Sequence, residues 1–168
     1  MSTVPPRTKG KLMVALSVLS MVMTGYHKSV QAQALVCTPI DFGTHGACSS
    51  MSSTVTVTPA GSTTSSPCLT QVSGGKRGNC LLTGMTGLVS VTASAPITLT
   101  GPGADMSVDT FRMSAPSLSS PIVSQPAITV SLSVSTPLDF YIGGTLHINA
   151  AQLGGSYSGA YVITVNNP

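Results

Sequence analysis

Ile128-Thr129-Val130-Ser131-Leu132-Ser133-Val134 puts four apolar residues on one side of an extended chain and hydroxyls on the other. Successive side chains of a strand point to opposite faces, so this run wants a sheet with one face buried and one wet. The same period recurs in Thr54–Thr58, Leu88–Thr92, Ile97–Thr100, Met106–Phe111, Thr145–Asn149 and Tyr161–Val165. Cys80–Thr83 and Leu138–Ile142 are further short candidates. Breakers separate them: Pro59-Ala60-Gly61, Gly84, Ala95-Pro96, Gly101-Pro102-Gly103 and Gly143-Gly144. About seven to nine short antiparallel strands with such punctuation predict an all-β sandwich or barrel. A sandwich satisfies one-faced strands by facing two sheets across about 10 Å. Ser114–Gln125, with Pro116 and Pro121, is expected to be a surface connection.

The first residues follow another rule. Arg7, Lys9 and Lys11 precede an apolar stretch from Leu12 to Met23, and Ala32-Gln33-Ala34 follows a polar segment. A positive region, a short apolar core and a small-x-small site predict a signal peptide over residues 1–34, cut between Ala34 and Leu35. Twelve residues span only about 18 Å as a helix, short of a bilayer core of about 30 Å. The expected mature chain, residues 35–168, is a single domain without a membrane span, destined for periplasm, cell surface or medium.

From Leu35 onward 39 of 134 residues are Ser or Thr and only seven carry a fixed charge, so hydroxyls do the solvating. Lys76, Arg77 and Arg112 face Asp41, Asp105, Asp109 and Asp139, a formal charge of −1. No basic stripe remains for phosphates, which argues against a nucleic-acid partner. Lys76-Arg77 reads as a solvated loop.

Cys37, Cys48, Cys68 and Cys80 all follow the expected cleavage site. An even count in an exported chain implies two disulfides, and these spacings suit no standard zinc module. Three pairings are possible. Local pairing, Cys37 with Cys48 and Cys68 with Cys80, is the expectation, with Cys37–Cys68 as the rival.

The chain resembles a bacterial secreted family catalogued as domain of unknown function 4402, grouped with fimbrial and spore-coat-U-like domains. The resemblance rests on Ile40-Asp41-Phe42-Gly43-Thr44, on Thr54–Pro59, on Met106–Phe111 and on Ile142-Gly143-Gly144-Thr145-Leu146. It continues through Gly155-Ser156-Tyr157-Ser158-Gly159-Ala160-Tyr161 and Thr164-Val165-Asn166. The ordered set covers most of the chain after the leader. The resemblance implies an immunoglobulin-like sandwich and an exported surface role, with no catalytic residues. The family commonly carries a longer N-terminal strand region, and the four cysteines are not part of its pattern. Gly143-Gly144 is expected to allow a reversal between two strands. Tyr157 is expected to cap the core with its ring and to bond a loop carbonyl with its hydroxyl, as in a tyrosine corner.

Chemistry is sparse. Ser73-Gly74-Gly75-Lys76 spells S-x-x-K, but that nucleophile motif needs a helix and two glycines oppose one. Gly155–Gly159 has Tyr157 where a nucleophile elbow needs Ser. Asp105 and Asp109 fall short of the 6–8 oxygens typical of calcium. His147 alternates onto the wet face and reads as a lone surface histidine. No enzyme, cofactor or metal is expected. The expected function is an exported structural domain, fimbria-like or coat-like, whose partners are other surface subunits or an export chaperone. The alternative is a monomeric secreted module binding carbohydrate or protein, which the scarcity of aromatic rings disfavours for sugars. With only Leu35 and Val36 before Cys37, the mature chain is not expected to donate an N-terminal strand to a neighbour.

Overall fold

The computed structural model describes residues 33–118, 122–133 and 136–167. The leader expectation lies outside these residues except at Gln33 and Ala34. Among the described residues thirteen strands alternate with turns: β1 (Ala34–Thr38), β2 (Thr44–Gly46), β3 (Ser53–Val57), β4 (Thr63–Ser65) and β5 (Thr70–Ser73). They continue as β6 (Gly78–Thr83), β7 (Gly87–Ala93), β8 (Ile97–Leu99), β9 (Met106–Ala115) and β10 (Ile122–Gln125). The last are β11 (Ala127–Leu132), β12 (Leu138–Ile148) and β13 (Ile163–Asn166). Each expected alternating run contributes to a strand, though Leu138–Ile142 and Thr145–Asn149 merge into β12, Tyr161 and Val162 precede β13, and Val134 lies outside the described residues. The count exceeds seven to nine because five strands of three to five residues, β1, β2, β4, β5 and β10, form where no apolar period announces them. One of these, β10, lies inside the expected connection and pairs with β9. No helix among the described residues is long and apolar enough to cross a membrane.

Two long strands organise the larger, eight-stranded sheet. β12 pairs with β9 along one edge, while its other edge is shared by β6 (Leu138↔Leu82) and β3 (Leu146↔Val55). β1 extends β6, β4 extends β3, and β8 and β10 lie on the far edge of β9. A three-stranded sheet in the order β11-β7-β13 packs against it, and every pairing is antiparallel. Val89, Val91 and Ile128 from the small sheet share one fully buried cluster with Val55, Val108, Met113, Phe140 and Ile142 from the large one. Each such side chain contributes about 1.5–3 kcal/mol by leaving water, which makes the sandwich interior the main source of stability.

Three expectations need correction. Gly143-Gly144 is no reversal: both residues lie inside β12, which runs unbroken from Leu138 to Ile148. A Cβ on Gly143 would come within 2.1 Å of the Val57 carbonyl oxygen, so glycine is required there by close approach. The alternation of Met106–Phe111 also slips. Gly143 faces Arg112 but Thr145 faces Asp109, so Thr110 and Phe111 together oppose Gly144. Thr110 takes the left-handed φ of 50° at this bulge, and the buried phase moves from Met106 and Val108 to Phe111 and Met113.

The cysteines pair neither locally nor as the rival. Cys37 bonds Cys80, and Cys48 bonds Cys68. Segment 37–48 runs antiparallel to segment 68–80, so each cysteine meets its counterpart in the other segment. Between the disulfides Asp41 bridges Lys76, and β2 pairs with β5 through Thr44↔Ser73 and Gly46↔Thr70. The two turns expected to be closed by local disulfides are closed by each other.

Candidate functional site

Where the small sheet ends, irregular segments cover the large one and leave a cleft of about 770 Å³. Its floor is the inner face of the sheet, with Leu99 from β8, Met106 and Val108 from β9, and Leu146 and Ile148 from β12. Alternation in these strands is what points five apolar side chains to one side. Residues 39–47 form one wall and residues 152–161 the other.

Each wall is fixed by its own hydrogen bonds. In the first, Asp41 and Lys76 exchange two backbone bonds of 2.9 and 2.6 Å, and the Gly43 amide donates to Asp41 Oδ1 at 2.8 Å. Nε2 of His45 lies 2.7 Å from the Phe42 carbonyl. A carbonyl only accepts, so Nε2 carries the proton. Nδ1 is enclosed without a hydrogen-bond partner among the described residues.

The second wall hangs on Tyr157. Its hydroxyl donates to the Leu153 carbonyl (3.0 Å) and accepts from the Gly103 amide (2.8 Å) and Gln152 Nε2 (2.7 Å). The tyrosine-corner expectation holds: the ring packs on the core and the hydroxyl bonds a loop carbonyl. Ser158 and Thr100 exchange two backbone bonds that tie this wall to β8. Gly159 permits the contact, since a Cβ there would lie 2.3 Å from the Thr98 carbonyl oxygen.

Four of the six aromatic residues after Ala34, namely Phe42, Phe111, Tyr157 and Tyr161, line this cleft. Phe111 and Tyr161 stack at 5.6 Å between centroids, and burial pushes the Tyr161 hydroxyl above its ordinary pKa. Among the described residues Asp41 is the one lining residue with a fixed charge. The scarcity of aromatics in the composition hid their convergence, because Phe42 and Phe111 lie 69 positions apart and meet only in the fold. Four of the segments that carry the family resemblance supply its two walls and much of its floor.

The other expected residues are placed elsewhere. His147 is not alone: its Nε2 lies 3.0 Å from Asp109 Oδ1 across β12 and β9 on the wet face. That bond, then one from Thr110 Oγ1 (2.8 Å), holds the Asp109 carboxyl below its ordinary pKa. The pair stands on the wet face of the sheet, its side chains 45% and 42% exposed. Asp105 precedes β9 and offers only its carbonyl, to Asn149. Among the described residues no three His, Cys, Asp or Glu side chains gather as metal ligands. Ser73 ends strand β5, and its hydroxyl accepts the Thr44 amide rather than meeting Lys76. Arg77 is less solvated than expected: its guanidinium sits 3.5 Å over the Tyr141 ring and donates to the Pro59 carbonyl at 2.9 Å.

Residues 31–167 match the model of the family described as Domain of unknown function (DUF4402). No curated protein and no solved structure matches the chain.

Proposed function

Because the chain belongs to the DUF4402 family, we propose that it is an exported, non-catalytic structural domain of a bacterial surface, fimbria-like or coat-like, that completes its own sandwich. The observation carrying this reading is β1. All five of its residues pair with β6, from Ala34↔Thr83 to Thr38↔Asn79, and Cys37–Cys80 bonds it there covalently. A strand so held is not free to complete a neighbour's sheet. Cleavage after Ala34 would cost this ladder only its first pair. Two disulfides suit an oxidising compartment outside the cytosol. The small sheet still ends in β13, whose outer edge has no ladder partner among the described residues. An incoming strand from an adjacent subunit would add there if the domain terminates a fibre.

Solution mass of protein exported to an oxidising compartment tests this reading. A soluble monomer with cooperative unfolding supports the self-complete domain. Dependence on a chaperone or an added strand supports the terminal acceptor. Filaments linked through β1 would refute both.

A secreted ligand-binding module is the second reading, and the cleft between residues 39–47 and 152–161 is what favours it. Its size falls within the roughly 300–1,000 Å³ of small-molecule sites.

A further inference from the structure

We infer that the outer edge of β1 pairs with the same edge of a second copy of this chain, antiparallel about a two-fold axis at Val36. The inference rests on the self-complete reading above, because β1 has to stay in its own sheet. β1 ends the large sheet, and among the described residues its outer edge has no ladder partner. Sheet edges are usually blunted by charge, proline, bulges or brevity. Here β2, β4 and β8 are three residues long, and the pairings of β5 and β10 shift register. β11 shares a pocket with Ser117, Leu118 and Ile122, and β13 exposes only Thr164 and Asn166. β1 has none of these guards. Ala34-Leu35-Val36-Cys37-Thr38 is uncharged, exposed throughout and in one register with β6 over all five residues. Val36 and Leu81 stand opposite each other on its wet face, 68% and 42% exposed, and Leu35 is 37% exposed on the other face. Three of the nine exposed large hydrophobics among the described residues meet at this edge.

The phase of the ladder selects the partner. The Asn79 amide donates to Thr38 Oγ1 at 3.1 Å, so Asn79 turns its N–H towards β1. The Cα atoms of Cys37 and Cys80 lie 4.1 Å apart, the short spacing of a pair that exchanges no backbone bonds. Leu35 and Cys37 therefore point their N–H and C=O groups away from β6. When two β1 edges run antiparallel with Leu35 opposite Cys37, every one of these outward groups is bonded. Val36 then meets its own copy on the axis in the closer, non-bonded position, with Leu81 beside each. Opposing Leu35 to Leu35, or Cys37 to Cys37, would leave half of the groups unpaired. Pro39 is next in the outward phase and has no N–H, so the ladder stops and the two-fold closes as a dimer. Charge does not oppose it. Asp139 lies opposite Leu81 in β12, and its two copies would be five strand spacings apart, about 24 Å against a screening length of roughly 8 Å. Cleavage after Ala34 would leave Leu35 an amine that still donates to the Cys37 carbonyl.

Sedimentation equilibrium of the disulfide-bonded, exported protein over a dilution series tests this. A reversible dimer is expected, with the monomer still folded on dilution. The Cys37 amide is expected to exchange more slowly as concentration rises, whereas the Val36 amide, already inside the β1–β6 ladder, stays unchanged. Val36→Lys and Val36→Glu each set like charges together on the axis and are expected to weaken the dimer about tenfold, and mixing the two variants is expected to restore it. Val123→Lys, at an exposed position of β10, should leave it intact. In a denaturing gel without reductant the dimer is expected to run as monomer, because each Cys37 bonds Cys80 of its own chain. Monomer at every concentration, or no recovery on mixing, overturns the inference and leaves the self-complete domain standing. A dimer joined by Cys37–Cys80 between chains has exchanged β1 and overturns both. If the charge variants do not fold, Cys37 exchange in the unaltered protein decides, and a rate independent of concentration overturns the inference.

Discussion

Cys37 lies directly opposite Cys80 in the β1–β6 ladder, their Cα atoms 4.1 Å apart, and this single register position ties the first strand to the middle of the chain. The second disulfide, Cys48–Cys68, closes the far end of the same antiparallel run. Non-reducing peptide mapping is expected to recover these two pairs alone. In the chain-entropy account a loop of 43 residues is worth about 4 kcal/mol and one of 20 about 3 kcal/mol. Cys37→Ser with Cys80→Ser is therefore expected to lower unfolding stability by several kcal/mol. It should also expose β1 to proteolysis, because the strand's side chains are all exposed and contribute little burial.

Much of this was legible in the chain. The period-two runs became strands because one-sided apolarity has no other stable outcome, and Tyr157 took the expected place because a ring beside a free hydroxyl suits a loop over a core. The cysteine pairing was written in the spacing but not read. Cys37 to Cys48 and Cys68 to Cys80 are separated by ten and eleven intervening residues. Near-equal lengths let two segments lie antiparallel and pair end with end. The cleft was not legible, since its walls carry no apolar period and its residues come from 39 to 161. The partner of His147 was missed for a different reason. Cross-strand neighbours depend on register, and the bulge at Thr110 shifts the register of β9.

Gly143 and Gly144 separate two kinds of glycine requirement. Gly143→Ala drives a methyl group into the Val57 carbonyl and is expected to cost more than about 3 kcal/mol or to prevent folding. Gly144→Ala meets the Phe111 ring and Val108 Cγ1 at 3.3 Å, side-chain atoms with room to shift, and is expected to cost about 1–2 kcal/mol. Urea unfolding of the two variants measures the difference; equal losses would remove the close-approach explanation.

The Asp109–His147 pair makes a prediction about pH. A carboxyl with a lowered folded pKa stabilises the protein above the unfolded pKa and loses that contribution as pH falls through the folded value. The loss is therefore expected in acid, beginning near the ordinary value of 3.8 and continuing below it. Its size should stay under about 1 kcal/mol, because both side chains are more than a third exposed and water screens them. Carboxyl carbon shifts followed by NMR should place the Asp109 midpoint below the ordinary value of 3.8. His147→Ala is expected to raise it, since the imidazole bond is the largest cause of the shift.

Tyr157 supports the second wall of the cleft through one oxygen, and removing that oxygen isolates its contribution. Tyr157→Phe keeps the ring on the core but deprives the Gly103 amide and Gln152 Nε2 of an acceptor and the Leu153 carbonyl of a donor. Gln152 retains its bond to the Ala104 carbonyl, and Leu153 is exposed enough for water to replace the lost donor. The net cost is expected at about 1–3 kcal/mol, set mainly by the Gly103 amide. The loss should be local as well as global. Amide hydrogen exchange is expected to rise at Gly103 and Ser158, whereas β6 and β12 should keep their protection. Uniform acceleration across the domain would mean that the wall and the core open together, and that Tyr157 supports the fold rather than the cleft.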